Sequence, residues 1–212
     1  MFRLSQLKFC AWFGTMRKAL GARDTYHHGN LPEALISEGA ALLVEKGMDK
    51  FSMREVARRA GVAVAAPSHH FGDAKGLLTA IAARGFGILA QRMESVATGS
   101  VNPEERVVAM CQAYRSMGQS EPGFSAIMFR VELLDESDRV FQEHASGAFT
   151  LFADALRKAA DQSADAIEVG YAARMLWATM HGLVGLKMIQ DLEAEALIRF
   201  SVGTVLARIR RT

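Results

Sequence analysis

The sequence predicts an all-α protein with a helix-turn-helix head at its N-terminal end and a helical bundle after it. Three observations predict this class. Period-two alternation is absent almost everywhere and β-branched residues are sparse, while apolar positions recur at helical spacing. Half of the 212 residues are hydrophobic and only four are proline, so the chain can build long helices around a sizeable core. The stretch 51–78, FSMREVARRAGVAVAAPSHHFGDAKGLL, reads as two helices across a tight turn and the start of a third.

Residues 1–15, MFRLSQLKFCAWFGT, mix apolar and basic residues without a clean cleavage site, so they do not read as a secretory signal. Met16 is a second possible start. Arg17, Lys18 and Arg23 follow without apolar periodicity, and residues 1–25 are expected to form an extension or arm. A helix is expected over 31–46, capped by Asn30, with Pro32 in its first turn and Gly47 at its end. Leu35, Ile36, Leu42 and Leu43 supply its apolar face.

Ser52 and Glu55 have the spacing of a capping box and open the next helix. Val56, Ala57 and Ala60 line its inner face, Gly61 supplies a left-handed residue for the turn, and Val62 is placed to plug the angle. A second short helix is expected from about Val64 to His70, with His70 and Phe71 packed inward. Two helices joined in this way place the second one in the DNA major groove.

Asp73 caps a connector helix expected over 74–95. Its three glycines, Gly76, Gly85 and Gly87, each weaken a helix by roughly 1 kcal/mol relative to alanine. They mark either close packing or a hinge. Asn102, Pro103, Glu104 and Glu105 make a strong helix start, with the helix reaching Gln119. Beyond a break at Glu121-Pro122-Gly123, helices are expected over 124–129, 137–160, 164–190 and 192–210. The division expected is an arm over 1–25, a helix-turn-helix head with its connector over 26–92, and a helical body over 93–212.

Charge follows the same division. Residues 1–84 hold twelve Lys/Arg against seven Asp/Glu, and residues 85–212 hold thirteen against sixteen. A basic end joined to a mildly acidic one suits a nucleic-acid head on a different kind of body. Cys10 and Cys111 show no metal-ligand or CxxC spacing, so they are expected to be free thiols in a reducing cytoplasm, with no metal site. No apolar run reaches the length of a membrane span. GxSxG, HExxH, P-loop and dinucleotide fingerprints are all missing, which leaves no catalytic residues and no cofactor to assign.

The run Tyr26-His27-His28-Gly29-Asn30-Leu31, then SMREVARRAGV, then AAPSHHFGDAKGLL, resembles the DNA-binding domain of the TetR family of transcriptional regulators. The likeness rests on Ser52, Val56-Ala57, Ala60-Gly61-Val62, His70-Phe71, Lys75 and Leu78. Farther on, Trp177-Ala178-Thr179-Met180-His181-Gly182 resembles the Trp…His-Gly signature of one C-terminal domain type in that family. The resemblance implies a homodimer on a palindromic double-stranded operator, with a small apolar or amphipathic effector in the body. It implies phosphate contacts from Ser52 and Lys75, and a base or phosphate contact from Arg54. Family members usually carry Tyr where this chain has Ser68, and the shorter side chain departs from that pattern.

Read directly, the second helix offers Val64, Ala65, Ser68 and His69 to a groove and lacks Arg, Asn and Gln, the bidentate readers of bases. Candidate effector contacts are Met110, Tyr114, Met117, Met128, Phe129, Phe149, Phe152, Trp177 and His181. Methionine and aromatic side chains adapt to apolar ligands, although the same stripes build cores. His181 reads either as the group that orients a ligand or as a satisfied core histidine. Dimerisation is expected through the last two helices, using Trp177, Leu183, Val184, Leu186, Ile189, Leu197, Ile198, Val202 and Leu206. A repressor is the reading favoured. An activator, a regulator without a ligand, and a ligand-binding bundle with a vestigial head stay open.

Overall fold

A computed structural model describes residues 30–99, 102–161, 164–186 and 191–210. The expectations for the leader, the basic arm, Cys10 and the 26–29 motif lie outside these residues, as does Ile189. The described residues form nine α-helices and two short 3-10 turns, with no strand. The helices are α1 (Leu31–Lys46), α2 (Met53–Arg59), α3 (Ala66–Phe71), α4 (Ala74–Ala97) and α5 (Pro103–Ser120), then α6 (Pro122–Ser125), α7 (Arg139–Ala160), α8 (Ala166–Gly185) and α9 (Asp191–Ile209). None is long and apolar enough to cross a membrane.

The caps legible in the sequence set most helix starts. Ser52 Oγ accepts the Glu55 amide at 3.2 Å, Asp73 Oδ1 accepts that of Gly76 at 2.9 Å, and Asn102 Oδ1 accepts that of Glu104 at 2.9 Å. Asp138 does the same for Phe141 at 2.8 Å, so α7 starts at Arg139, just after the expected Ser137. At Ser52 only half of the expected capping box forms. The Glu55 carboxylate turns away and accepts from Lys46 at 2.9 Å and from Arg58 at 2.8 Å.

Two short helices differ from expectation, both because of proline. A helix from about Val64 would need an N–H at Pro67 within its second turn, where proline has none and its ring strikes the preceding turn. The helix therefore starts at Ala66 with Pro67 in its first two positions, and Val64 and Ala65 sit in the turn before it. Pro122 was expected to break the chain, but it opens α6 instead, and residues 126–129 become turns. The expected 164–190 helix runs only from Ala166 to Gly185 within the described residues.

Helix α4 is the spine. It packs mainly on α7 and α5, and α5 in turn carries α7, α8 and α9. Leu77, Ile81, Leu89, Met93, Met110, Cys111, Phe152, Leu156, Val202 and Leu206 are among its deeply buried core. Burial pushes the Cys111 thiol up to about 12, so it is a packing residue rather than a thiolate.

Helix α1 lies close to both neighbours. A methyl group on Gly39 would stand 2.7 Å from Ile81 Cδ1 of α4. One on Gly123 of α6 would overlap the Ala40 carbonyl of α1. The same test decides between hinge and packing on α4. A methyl on Gly85 would come within 2.7 Å of Met128 Sδ, and one on Gly87 within 3.1 Å of His144 Nδ1. Both glycines make room for crossing side chains inside a continuous helix, which favours packing over a hinge.

The expected dimer residues also need correction. Val202 and Leu206 are 0 % exposed, and Ile198 and Leu183 are buried too. These faces of α8 and α9 are used inside the protomer, because α9 packs on α8, α5 and α7. Of the expected residues Leu186 does stay exposed; beside it the uncovered apolar residues of these two helices are Ile167, Tyr171 and Met175 at four-residue spacing along α8, and Phe200 on α9.

Candidate nucleic-acid interface and effector core

The turn between α2 and α3 is a Schellman motif. Gly61 has φ +68°, its amide donates to the Arg58 carbonyl at 3.3 Å, and the Val62 amide donates to the Ala57 carbonyl at 3.0 Å. Val62 is half-buried at the bend, while Val56 and Ala57 are fully buried under it. Charge locks α2 to α1 from outside. Glu55 binds Lys46 and Arg58, and Arg59 pairs with Glu45. Hydrogen bonds from Arg58 and Lys46 hold the Glu55 carboxyl far below the usual carboxylate range.

All seven residues expected to meet DNA are exposed: Ser52, Arg54, Val64, Ala65, Ser68, His69 and Lys75. Arg54 lies in the first turn of α2, Ser68 and His69 lie on α3, and Lys75 lies in the first turn of α4. Val64 is 60 % exposed although apolar, and it projects from the turn ahead of α3. Contrary to expectation His70 is exposed as well, and Phe71 is half-buried, because adjacent residues on a helix point about 100° apart and cannot share one inner face equally.

A neighbour of Lys75 escaped the sequence reading. The Ser137 hydroxyl and amide hold the Asp135 carboxyl below its ordinary range, and the Lys75 ammonium adds to that effect. A loop of the body thus sits beside a basic residue of the head. Thr79, the buried hydroxyl on α4, fixes that loop through its backbone. No pattern marks such a contact, since 56 residues separate its partners.

In the body, most of the candidate effector residues meet in one aromatic cluster. Tyr114 lies edge-on to Trp177 at 5.2 Å, and Trp177 meets Phe149 at 5.6 Å and Phe152 at 5.8 Å. Phe129 lies 4.6 Å from His181 and 5.4 Å from Phe86. Tyr114 Oη and His181 Nδ1 stand 3.4 Å apart, the polar pair of this apolar cluster. Burial pushes the Tyr114 phenol well above its usual range. His181 is exposed and so is not a core histidine. Met110, Met117 and Met128 are buried; Met110 and Met117 share α5 with Tyr114, and Met128 packs over Gly85. Among the described residues no three His, Cys, Asp or Glu side chains converge as metal ligands do.

Comparison with known proteins agrees with both halves. Residues 35–81 match the family described as bacterial regulatory proteins, tetR family. Residues 107–204 match a tetracyclin repressor-like C-terminal domain. A protein of unknown function from Rhodococcus sp. RHA1 is 26% identical, with a TM-score of 0.73 over 89% of this chain and 100% of that one. The TetR family regulator PfmR from Thermus thermophilus is 20% identical, with a TM-score of 0.62 over 82% of this chain and 97% of its own. The regulator FadR from Bacillus subtilis, solved in complex with stearoyl-CoA, is 17% identical, with a TM-score of 0.64 over 82% of this chain and 97% of its own. The last two share its fold. No functionally curated protein matches the chain significantly.

Proposed function

The chain belongs to the tetR family of DNA-binding transcriptional regulators, and from that premise we propose that it is a ligand-responsive repressor working as a homodimer on a palindromic operator. The observation that carries the reading is the exposure of all seven DNA-facing candidates around the α2–α3 turn and the first turn of α4. Lys75 and Ser52 meet phosphate, and Val64, Ala65 and His69 face base edges. The uncovered stripe Ile167–Tyr171–Met175 on α8, with Phe200 on α9, supplies the apolar surface that a second copy covers. Two heads held by one dimer meet half-sites one helical turn apart, or a multiple of it.

The effector is a small apolar or amphipathic molecule that opens the aromatic cluster around Trp177. Tyr114 and His181 supply its polar contact. That FadR was solved with an acyl-CoA supports an apolar effector here. Binding that differs between the DNA-competent state and the other shifts the operator equilibrium. Selection of bound sequences from a random DNA pool tests the reading. An inverted repeat bound by a dimer is the expected result, and no DNA binding even at low salt would overturn it in favour of a vestigial head.

A further inference from the structure

A cleft lies apart from the aromatic cluster. Its volume is about 420 Å³, within the range of small-molecule sites. Four helices wall it: α1, α3, α4 and α7. Its apolar lining includes Ile36, Phe71, Ala80 and Ala83, and Gly87 leaves backbone bare against the His144 ring. His70 of α3 and His144 of α7 provide its imidazoles.

The carboxylates, the Arg84 guanidinium and the imidazoles of this cleft are differently occupied. Both carboxylates are engaged: Asp138 accepts the Phe141 amide at 2.8 Å, and Glu33 pairs with Arg84 at 3.4 Å. Among the described residues neither the His70 nor the His144 imidazole makes a hydrogen bond; the His70 ring only meets the Phe71 ring at 6.2 Å. The cleft therefore offers unused imidazole N–H donors above an apolar floor. A cation finds its carboxylates committed, and a bare hydrated anion leaves the floor wet. An apolar ring carrying one carboxylate matches both parts, because a charged acceptor makes the stronger kind of hydrogen bond.

We propose that this cleft binds a small ring-bearing carboxylic acid, its ring on the Ile36–Ala80–Ala83 floor and its carboxylate held by His70 and His144. The site is separate from the effector core around Trp177. Occupancy ties the recognition helix α3 to α7 of the body.

Benzoate is the probe, titrated into the full chain while the imidazole and indole NMR signals are followed. The expected result is saturable movement of the His70 and His144 signals, with an affinity on the order of 1 mM for so small a ligand. His144→Leu should weaken it roughly ten-fold. Ala80→Phe fills the floor and should abolish it. Val140→Trp, at an exposed position on another wall, gives the same block if Ala80→Phe does not fold. Acetate and inorganic phosphate should move the signals far less. The proposal is overturned if benzoate leaves both imidazoles unmoved, moves the Trp177 indole instead, binds undiminished when the cleft is filled, or is matched by inorganic phosphate. None of these outcomes depends on DNA binding, so failure here is distinct from failure of the repressor reading.

Discussion

Thr79 Oγ1 accepts the backbone amide of Asp135 at 2.9 Å while donating its own proton to the Lys75 carbonyl at 2.8 Å. A single buried hydroxyl therefore bridges the first turn of α4 to the loop that ends at the cap of α7. Thr79→Val keeps the volume and strips the acceptor, leaving the Asp135 amide unpaired. A loss of about 1–3 kcal/mol is expected, read as a shifted urea midpoint at unchanged slope. Thr79→Ser should recover most of it. An unshifted midpoint in the valine variant would show that the loop holds without this bond.

The α1–α2 seam should be acid-sensitive. The Glu55 carboxyl is held below its ordinary range by Arg58 and Lys46. A depressed carboxylate contributes stability above its unfolded pKa and loses it as pH falls through the folded one. The Glu55 contribution is thus complete at neutral pH and fades from the ordinary carboxylate range downward. Glu55→Gln should be less stable than the wild type at pH 7, and the gap should narrow steadily as the pH falls below the ordinary carboxylate range. A gap independent of pH would assign the effect to capping alone.

Self-association separates two faces of α9. Tyr171 and Phe200 are 62 % and 72 % exposed, so Tyr171→Glu with Phe200→Glu should give folded monomers by sedimentation. Val202→Asp should instead unfold the protein, since an unpaired charge at a fully buried position costs several kcal/mol. Dimers that survive the double substitution would refute the α8 stripe as the interface.

Alanine at Gly85 and Gly87 tests the spine. A helix interior gains up to about 1 kcal/mol from Gly→Ala where space allows. Here the new methyl at Gly85 meets Met128 and the one at Gly87 meets His144. Gly85→Ala is expected to lower the melting temperature, and Met128→Ala in the same chain should relieve the crowding and so show non-additive coupling. Simple additivity would show that Met128 moves aside freely.

Affinity and sequence readout should come apart. Lys75→Ala should weaken binding to all DNA and make the salt slope shallower by about one unit. Val64→Ala should relax discrimination at one or two thymines, whose mismatches otherwise cost roughly 1–3 kcal/mol each. Replacing those thymines by uracil removes only a methyl. Equal affinity for the uracil operator would move readout to Arg54, His69 or DNA shape.

The chain's local chemistry was largely legible. Ser52, Gly61, Asp73 and Asn102 act as their residue types require, because caps and left-handed turns depend on a few neighbouring atoms. The Trp…His-Gly run and the aromatic spacing pointed to residues that do meet, since Tyr114, Phe129, Trp177 and His181 form one cluster. Pro67 and Pro122 misled the boundaries because one residue both stops and starts helices, and its position within the turn decides which. The partition of α9 was not legible. An apolar surplus shows that faces must be covered, but only tertiary packing assigns Val202 inward and Phe200 outward. The Thr79–Asp135 bridge left no trace in any local pattern.

The close approach of Gly123 to the Ala40 carbonyl bears on how such heads can be exchanged. Backbone meets backbone there, with no side chain between to adjust. The described residues from 32 onward also cluster as one packed unit. A chimera that grafts a foreign first helix onto this body inherits that surface without its complement, and the transplant has to carry the 121–128 turn along. The head of this chain is therefore not a free-standing cassette; its first helix is fitted to the short helix that leans on it.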